Sequence, residues 1–189
     1  MLDIILFSKS PRRQELLKLM GLKFEVVTKD VDESYPENLT PTEVAEYIAT
    51  KKAKAFDNEI KNEILITADT IVAVDNEILG KPVDADDAYR MIKLLSGRAH
   101  DVHTGVALLH QHHVISFVDT TKVYFRELSD EEIHFYIDTY KPYDKAGAYG
   151  IQEWIGLTAV TRLEGSYTNV MGLPTERVYQ QILHHSALM

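Results

Sequence analysis

A chain of 189 residues, 45% of them hydrophobic and 26% charged, is long enough to bury a sizeable core and reads as globular throughout. A formal net charge of −9 excludes a general binder of nucleic acid or membrane surfaces, and the lack of cysteine excludes disulfides, a thiolate nucleophile and a cysteine zinc site. With no bilayer-length apolar run and no signal-peptide pattern at the N-terminus, a cytoplasmic protein is expected, folded as one domain over residues 1–189.

Residues 2–7, LDIILF, form an apolar strand-like run, and SKSPRRQELL (8–17) follows as a tight turn and a helix start. Ser10 suits the N-cap, and Pro11 suits the first helical position, where a missing N–H costs nothing. Gly21 is placed as a stop, and KFEVVT reads as a second strand. Thr40 and Glu43 make a capping box for a helix extending to about Phe56, with Val44, Ala45, Ile48 and Ala49 as its apolar stripe. ILITADTIVAVD (64–75) is the strongest strand signal, a buried central strand interrupted by one acid and closed by a turn at Asp75-Asn76.

Asp84 to Leu95 predicts a helix stopped by Ser96-Gly97. HDVHTGVALL and HVISFVDTTKVYF then predict an antiparallel hairpin. Ser129 and Glu132 cap a helix to about Tyr140, GLTAVTRL reads as a late strand, GSYTNVMGLP as a loop, and PTERVYQQIL as a terminal helix. Helices and strands alternate without internal repeats, so the expected class is α/β with a mixed sheet.

Chemistry can sit at a few places. Adjacent Arg12 and Arg13 at a helix start offer two guanidinium forks beside free backbone N–H groups, an arrangement that binds phosphate; the alternative is a capped surface helix with solvated arginines. Asp69 lies inside an apolar strand, where an unpaired carboxylate is costly, so a metal, a lysine or an activated water should partner it unless it merely caps the next turn. Lys81, between Gly80 and Pro82, can serve a phosphate or belong to an ordinary turn, and Lys52 can be a surface lysine. HQHH (110–113) falls at the hairpin turn, where neighbouring histidines cannot all aim at one ion, and a strand sends His100 and His103 to opposite faces. Neither a Walker-type phosphate loop nor a dinucleotide fingerprint is present in the sequence. In DKAGAYGIQ (144–152), small residues let backbone approach a ligand, and Gln152 offers a donor and an acceptor side by side, complementary to N3–H and O4 of uracil or thymine.

Together SKSPRRQELL, KKAKA around Lys52, TADTIVAVD, GKP, LSGRAHDVHTGVAL, DKAGAYGIQ and GSYTNVMGLP resemble the Maf family of nucleoside triphosphate pyrophosphatases, in order and across nearly the whole chain. DKAGAYGIQ is similar to the branch acting on dTTP and UTP; modified pyrimidine nucleotides stay open as substrates. The resemblance implies an elongated mixed α/β fold like that of inosine triphosphatases, with two lobes around a central cleft. It implies cleavage between the α- and β-phosphates with a divalent cation, Mg²⁺ or Mn²⁺. By position it makes Asp69 the proton acceptor, in contact with the metal, and ties Arg12, Thr70 and Gln152 to substrate preference. Ser8, Arg13, Lys52 and Lys81 match positions that hold the triphosphate, and Glu33 is a further acidic, metal-side contact. Phe7, in place of an alanine, and Lys141, in place of an acid, depart from the family pattern. The resemblance leaves a homodimer open as the assembly. It also leaves open a second class, a nucleotide-sensing regulator of cell division without turnover.

Overall fold

The computed structural model describes residues 3–187, with the side chains of 185–187 left aside. The chain opens with strand β1 (Ile4–Phe7), helix α1 (Pro11–Leu19) and strand β2 (Phe24–Val27). Gly21, at φ 74°, ends α1: the Leu22 N–H reaches Leu17 O at 3.3 Å and the Gly21 N–H reaches Lys18 O at 2.9 Å, a glycine stop in the left-handed region. Helix α2 (Pro41–Lys54) begins at the expected capping box and stops two residues short of Phe56. Strand β3 (Ile64–Val74) turns at Asp75-Asn76, both at positive φ, into β4 (Glu77–Leu79), and α3 (Ala85–Leu95) follows. The hairpin is β5 (Ala99–His110) and β6 (His113–Phe125), with Gln111 and His112 of the HQHH run as its positive-φ turn residues.

The C-terminal part holds α4 (Asp130–Tyr140), α5 (Trp154–Thr158), β7 (Val160–Glu164), α6 (Tyr167–Val170) and α7 (Thr175–Ala187). Two expectations change here. The strand read over GLTAVTRL starts only at Val160, because residues 154–158 close a helical turn in which the Thr158 hydroxyl bonds back to Trp154 O at 2.9 Å. The loop read over GSYTNVMGLP contains α6, capped by Ser166, whose side chain accepts from the Asn169 N–H. Both helices are too short to display a 3.6-residue period.

Among the described residues, seven strands form one sheet in the order β2-β1-β3-β5-β6-β7, with β4 added to β3. β1 runs parallel to both β2 and β3, while β3, β5, β6 and β7 pair antiparallel, so the sheet is mixed as expected. Alternation along β3 sorts its side chains. Ile64, Ile66 and Ala68 join Leu16 and Leu17 of α1 and Val178 and Ile182 of α7 on one face, and Leu65 joins Ala49 and Ala53 of α2 on the other. Gly105 of β5 lets α2 come close, since a Cβ there would stand 2.2 Å from Ala45 O. Beyond the middle of β3 a separate core gathers Val72 and Val74 with α3, α4 and α5, giving a second lobe.

The edge of β3 opposite β5 is discontinuous. β1 covers it from Ile64 to Thr67 and β4 covers it from Val72 to Val74, and among the described residues no strand pairs with it in between. Residues 68–71 therefore line a break in the sheet edge, just past the end of a parallel strand, where open α/β sheets take ligands. Among the described residues no helix is long and apolar enough to cross a membrane.

His100 of β5 is buried beside Phe125 and Tyr149, with Nε2 2.7 Å from the Tyr149 hydroxyl, and burial pushes its imidazole down to about 3. The unfolded chain takes up this proton near 6.5 and the folded chain only near 3, so its contribution to stability is complete above 6.5 and is lost as pH falls through that window. The slope is at most about 1.4 kcal/mol per pH unit. Urea unfolding between pH 7.5 and 5 is expected to show this acid weakening in the natural chain and a shallower one in His100→Phe. Equal slopes would contradict it.

Candidate active site

A cavity of about 540 Å³ opens at the break in β3. It is lined by Ser8, Arg12, Arg13, Glu33, Lys52, Asp69, Thr70, Lys81 and Gln152, so every candidate named from the sequence meets in one place. Ser8 follows β1 directly, and its hydroxyl accepts the Ser10 N–H at 3.1 Å, which turns the chain into α1. Ser10 occupies the N-cap position with extended backbone, but its side chain makes no cap bond, contrary to expectation, because the turn is closed one step earlier by Ser8. The first N–H groups of α1 thus keep no partner inside the helix.

Asp69 and Thr70 are adjacent on β3 and project to opposite faces. On the α2 face, Lys52 Nζ lies 2.7 Å from Asp69 Oδ1 and 2.9 Å from Glu33 Oε1, so one ammonium joins the acid in the strand to an acid in the 28–40 loop. Lys52 and Asp69 side chains are only 11% and 15% exposed, whereas Glu33 is 57% exposed; the first pair is buried and the second is wet. Burial pushes the Glu33 carboxyl up, but the Lys52 hydrogen bond and charge, with Lys81 and Arg13 behind, hold it below the ordinary range. Of the partners expected for Asp69 the lysine is in place as Lys52, which is buried and no surface lysine.

On the other face, Arg13 donates from Nε to Gly172 O at 2.7 Å and from NH2 to Thr70 Oγ1 at 2.9 Å. Burial lowers its guanidinium from the usual value, opposed by Asp69. Arg13 is thus partly consumed by the protein, while Arg12 reaches across to Asp144 Oδ2 at 3.0 Å. That ion pair joins the SPRR turn to DKAGAYGIQ. Lys81 sits on an exposed loop tied to the same segment, since the Gly147 N–H donates to Gly80 O at 3.1 Å.

Three residues of this region escaped the sequence reading. Buried Lys145 bonds Asp144 Oδ1 at 2.8 Å and Glu153 Oε1 at 3.0 Å, while the Tyr136 hydroxyl donates to Glu153 Oε2 and accepts the Gly150 N–H at 3.0 Å. Gln152 lies exposed between Gly150 and Glu153, both held by one buried phenol, and its own amide has no partner among the described residues. Lys145 was visible as half of a charged pair; Tyr136 and Glu153 carried no local signal.

The Maf-like protein family model matches residues 3–185. The chain belongs to the Maf-like family. Among curated relatives, a protein of Flavobacterium psychrophilum named dTTP/UTP pyrophosphatase is 51% identical over 97% of this chain and 94% of its own length. A dTTP/UTP pyrophosphatase of Flavobacterium johnsoniae is 54% identical over 95% of this chain and 93% of its own. Among solved structures, a HAM1 protein from Coxiella burnetii aligns with a TM-score of 0.54 at 16% identity, covering 97% of this chain and 100% of that one. At that identity it speaks to the fold this Maf chain adopts, and to nothing further.

Proposed function

We propose that this chain is a nucleoside triphosphate pyrophosphatase that takes dTTP and UTP and releases the monophosphate and pyrophosphate. The observation that carries this reading is Asp69, a carboxylate placed at the break in β3, held by Lys52 through one oxygen and lining the same cavity as Arg12, Arg13 and Lys81. Asp69 Oδ2 has no hydrogen-bond partner among the described residues and is free to accept a proton from water or to orient it. Arg12, Arg13 and Lys81 neutralise charge on the triphosphate as pyrophosphate leaves, with the first turn of α1 and the Ser8 hydroxyl adding donors. Lys52 fixes the direction of the Asp69 carboxylate. Gln152 presents its amide to the base, and Arg12 is tethered to the same segment through Asp144.

The residues fit a divalent cation. Glu33 and Asp69 flank the Lys52 ammonium, and the carboxylate oxygens they leave beside it are the hard donors that Mg²⁺ or Mn²⁺ would take together with water and the phosphate oxygens of the nucleotide. Phosphate oxygens of the nucleotide would complete the coordination of such an ion. Such an ion supplies charge neutralisation at the phosphates.

A panel of nucleoside triphosphates with Mg²⁺ or Mn²⁺, with pyrophosphate and orthophosphate measured separately, tests the reading. dTTP and UTP are expected to give pyrophosphate at the highest kcat/KM. Orthophosphate as product would point to a phosphatase, and binding without any product would favour a nucleotide sensor.

A further inference from the structure

Thr70 is bonded at both ends of a short chain whose direction is fixed. At one end is the Arg13 guanidinium, which can only donate, 2.9 Å from Thr70 Oγ1. At the other is the backbone carbonyl of Asn169, which can only accept, 3.0 Å from Thr104 Oγ1. The two hydroxyls lie 3.0 Å apart. Each hydroxyl carries one hydrogen. Thr104 is fully buried, so no solvent competes, and its hydrogen is committed to Asn169 O; the hydrogen between the two hydroxyls must then come from Thr70. Reversing the order would leave two oxygens facing each other without a hydrogen beside Asn169 O.

The acceptor end is itself pinned. The Asn169 side chain donates to Val102 O at 3.0 Å and to Thr121 Oγ1 at 3.0 Å, and the backbone carbonyl of Asn169 also takes the Gly172 N–H at 2.9 Å. The same Gly172 holds Arg13 through its own carbonyl at 2.7 Å. Donor, relay and acceptor are therefore parts of one rigid unit spanning α1, β3, β5 and α6.

We infer that Thr104 is a positioning residue: it consumes the Thr70 hydrogen, so that Thr70 faces the cavity as a hydrogen-bond acceptor and selects a base bearing an N–H there, the imide N3–H of uracil and thymine, which leaves the Gln152 amide N–H to meet the O4 carbonyl. This deepens the reading given under Proposed function and rests on it. Phosphate oxygens are acceptors, so an acceptor-only hydroxyl is no phosphate contact and belongs to the nucleoside. Cytosine carries a lone pair at N3 in place of the hydrogen, and two lone pairs would oppose each other. A site built to pair a hydrogen discriminates strongly against a ligand that lacks it.

The test compares kcat/KM for dTTP and dCTP in the natural chain, Thr104→Val and Thr104→Ser. Valine keeps the shape but frees the Thr70 hydrogen to turn toward the ligand, so the dTTP to dCTP ratio is expected to fall about tenfold, one hydrogen bond's worth, partly through a rise for dCTP. Serine keeps the hydroxyl and should keep the ratio. A valine variant with an unchanged ratio, or one that loses dTTP and dCTP turnover in equal proportion, would overturn the inference, the second outcome marking Thr104 as a mere anchor for Arg13. An effect that disappears with 2′,3′-dideoxynucleoside triphosphates would assign the donor to the sugar hydroxyl and also overturn it. Should Thr104→Val fail to fold, Thr70→Val replaces it, with the dTTP to dCTP ratio of kcat/KM expected to fall about tenfold; an unchanged ratio there would overturn the inference. Absence of dTTP turnover in the natural chain would instead remove the proposed function itself.

Discussion

Asp69→Asn is expected to fold and to release pyrophosphate from dTTP at least 100-fold more slowly, the lower end of what a positioned acid or base contributes (about 10²–10⁴). The amide is the same size and keeps an oxygen able to accept from Lys52 Nζ, now 2.7 Å from Asp69 Oδ1, so the strand and its neighbours have no reason to move. What disappears is the negative charge and the ability to take a proton. Lys52 retains Glu33 as a counter-charge at 2.9 Å, which limits the cost to stability, and melting within a few degrees of the natural chain should confirm an intact fold. Turnover within threefold of the natural chain would remove Asp69 from the chemistry.

Lys52→Met is expected to damage stability more than activity measurements alone would reveal. Methionine matches the length of the lysine stem, so packing in α2 is largely kept. The ammonium is lost, and Asp69, 15% exposed, is left facing Glu33 without a partner. Breaking a buried ion pair from one side costs about 3–5 kcal/mol; because Glu33 is 57% exposed and can be solvated, about 2–3 kcal/mol is expected here. For a chain of 189 residues that corresponds to a Tm lowered by about 5–10 °C. The same vacancy of charge creates a divalent site from the two carboxylates. Millimolar Mn²⁺ without nucleotide should recover part of the lost Tm in the variant and do little for the natural chain, where Lys52 holds the position. An unchanged Tm, or a variant indifferent to Mn²⁺, would show that Lys52 is not what holds the two acids.

These two residues also mark how far the sequence could be read. Local rules found the capping boxes at Thr40 and Ser129, the β5–β6 hairpin and the long β3, because each is settled by neighbours within a few positions. Asp69 stood out because an acid in an apolar strand needs a partner, yet nothing local named Lys52 in preference to a metal or a water. Lys52 is brought to it by α2 lying across β3 and β5, which depends on Gly105 admitting the helix backbone. Arg12 and Arg13 were legible as an anion site, but their different fates were not. Arg12 meets a residue 132 positions away and Arg13 one 159 positions away, and no short pattern encodes such pairings. The same holds for Tyr136, an ordinary core tyrosine by sequence, which fixes both flanks of Gln152. Helices α5 and α6 were missed for the opposite reason, being too short for any period to register.

The central claim is that Asp69 serves a water attacking the α-phosphorus at the break in β3. Hydrolysis of dTTP in H₂¹⁸O, followed by mass spectrometry of both products, tests it most directly. The label is expected in the nucleoside monophosphate, with unlabelled pyrophosphate. Label in the pyrophosphate would mean attack at the β-phosphorus and would contradict the placement of Asp69 beside the α-phosphate.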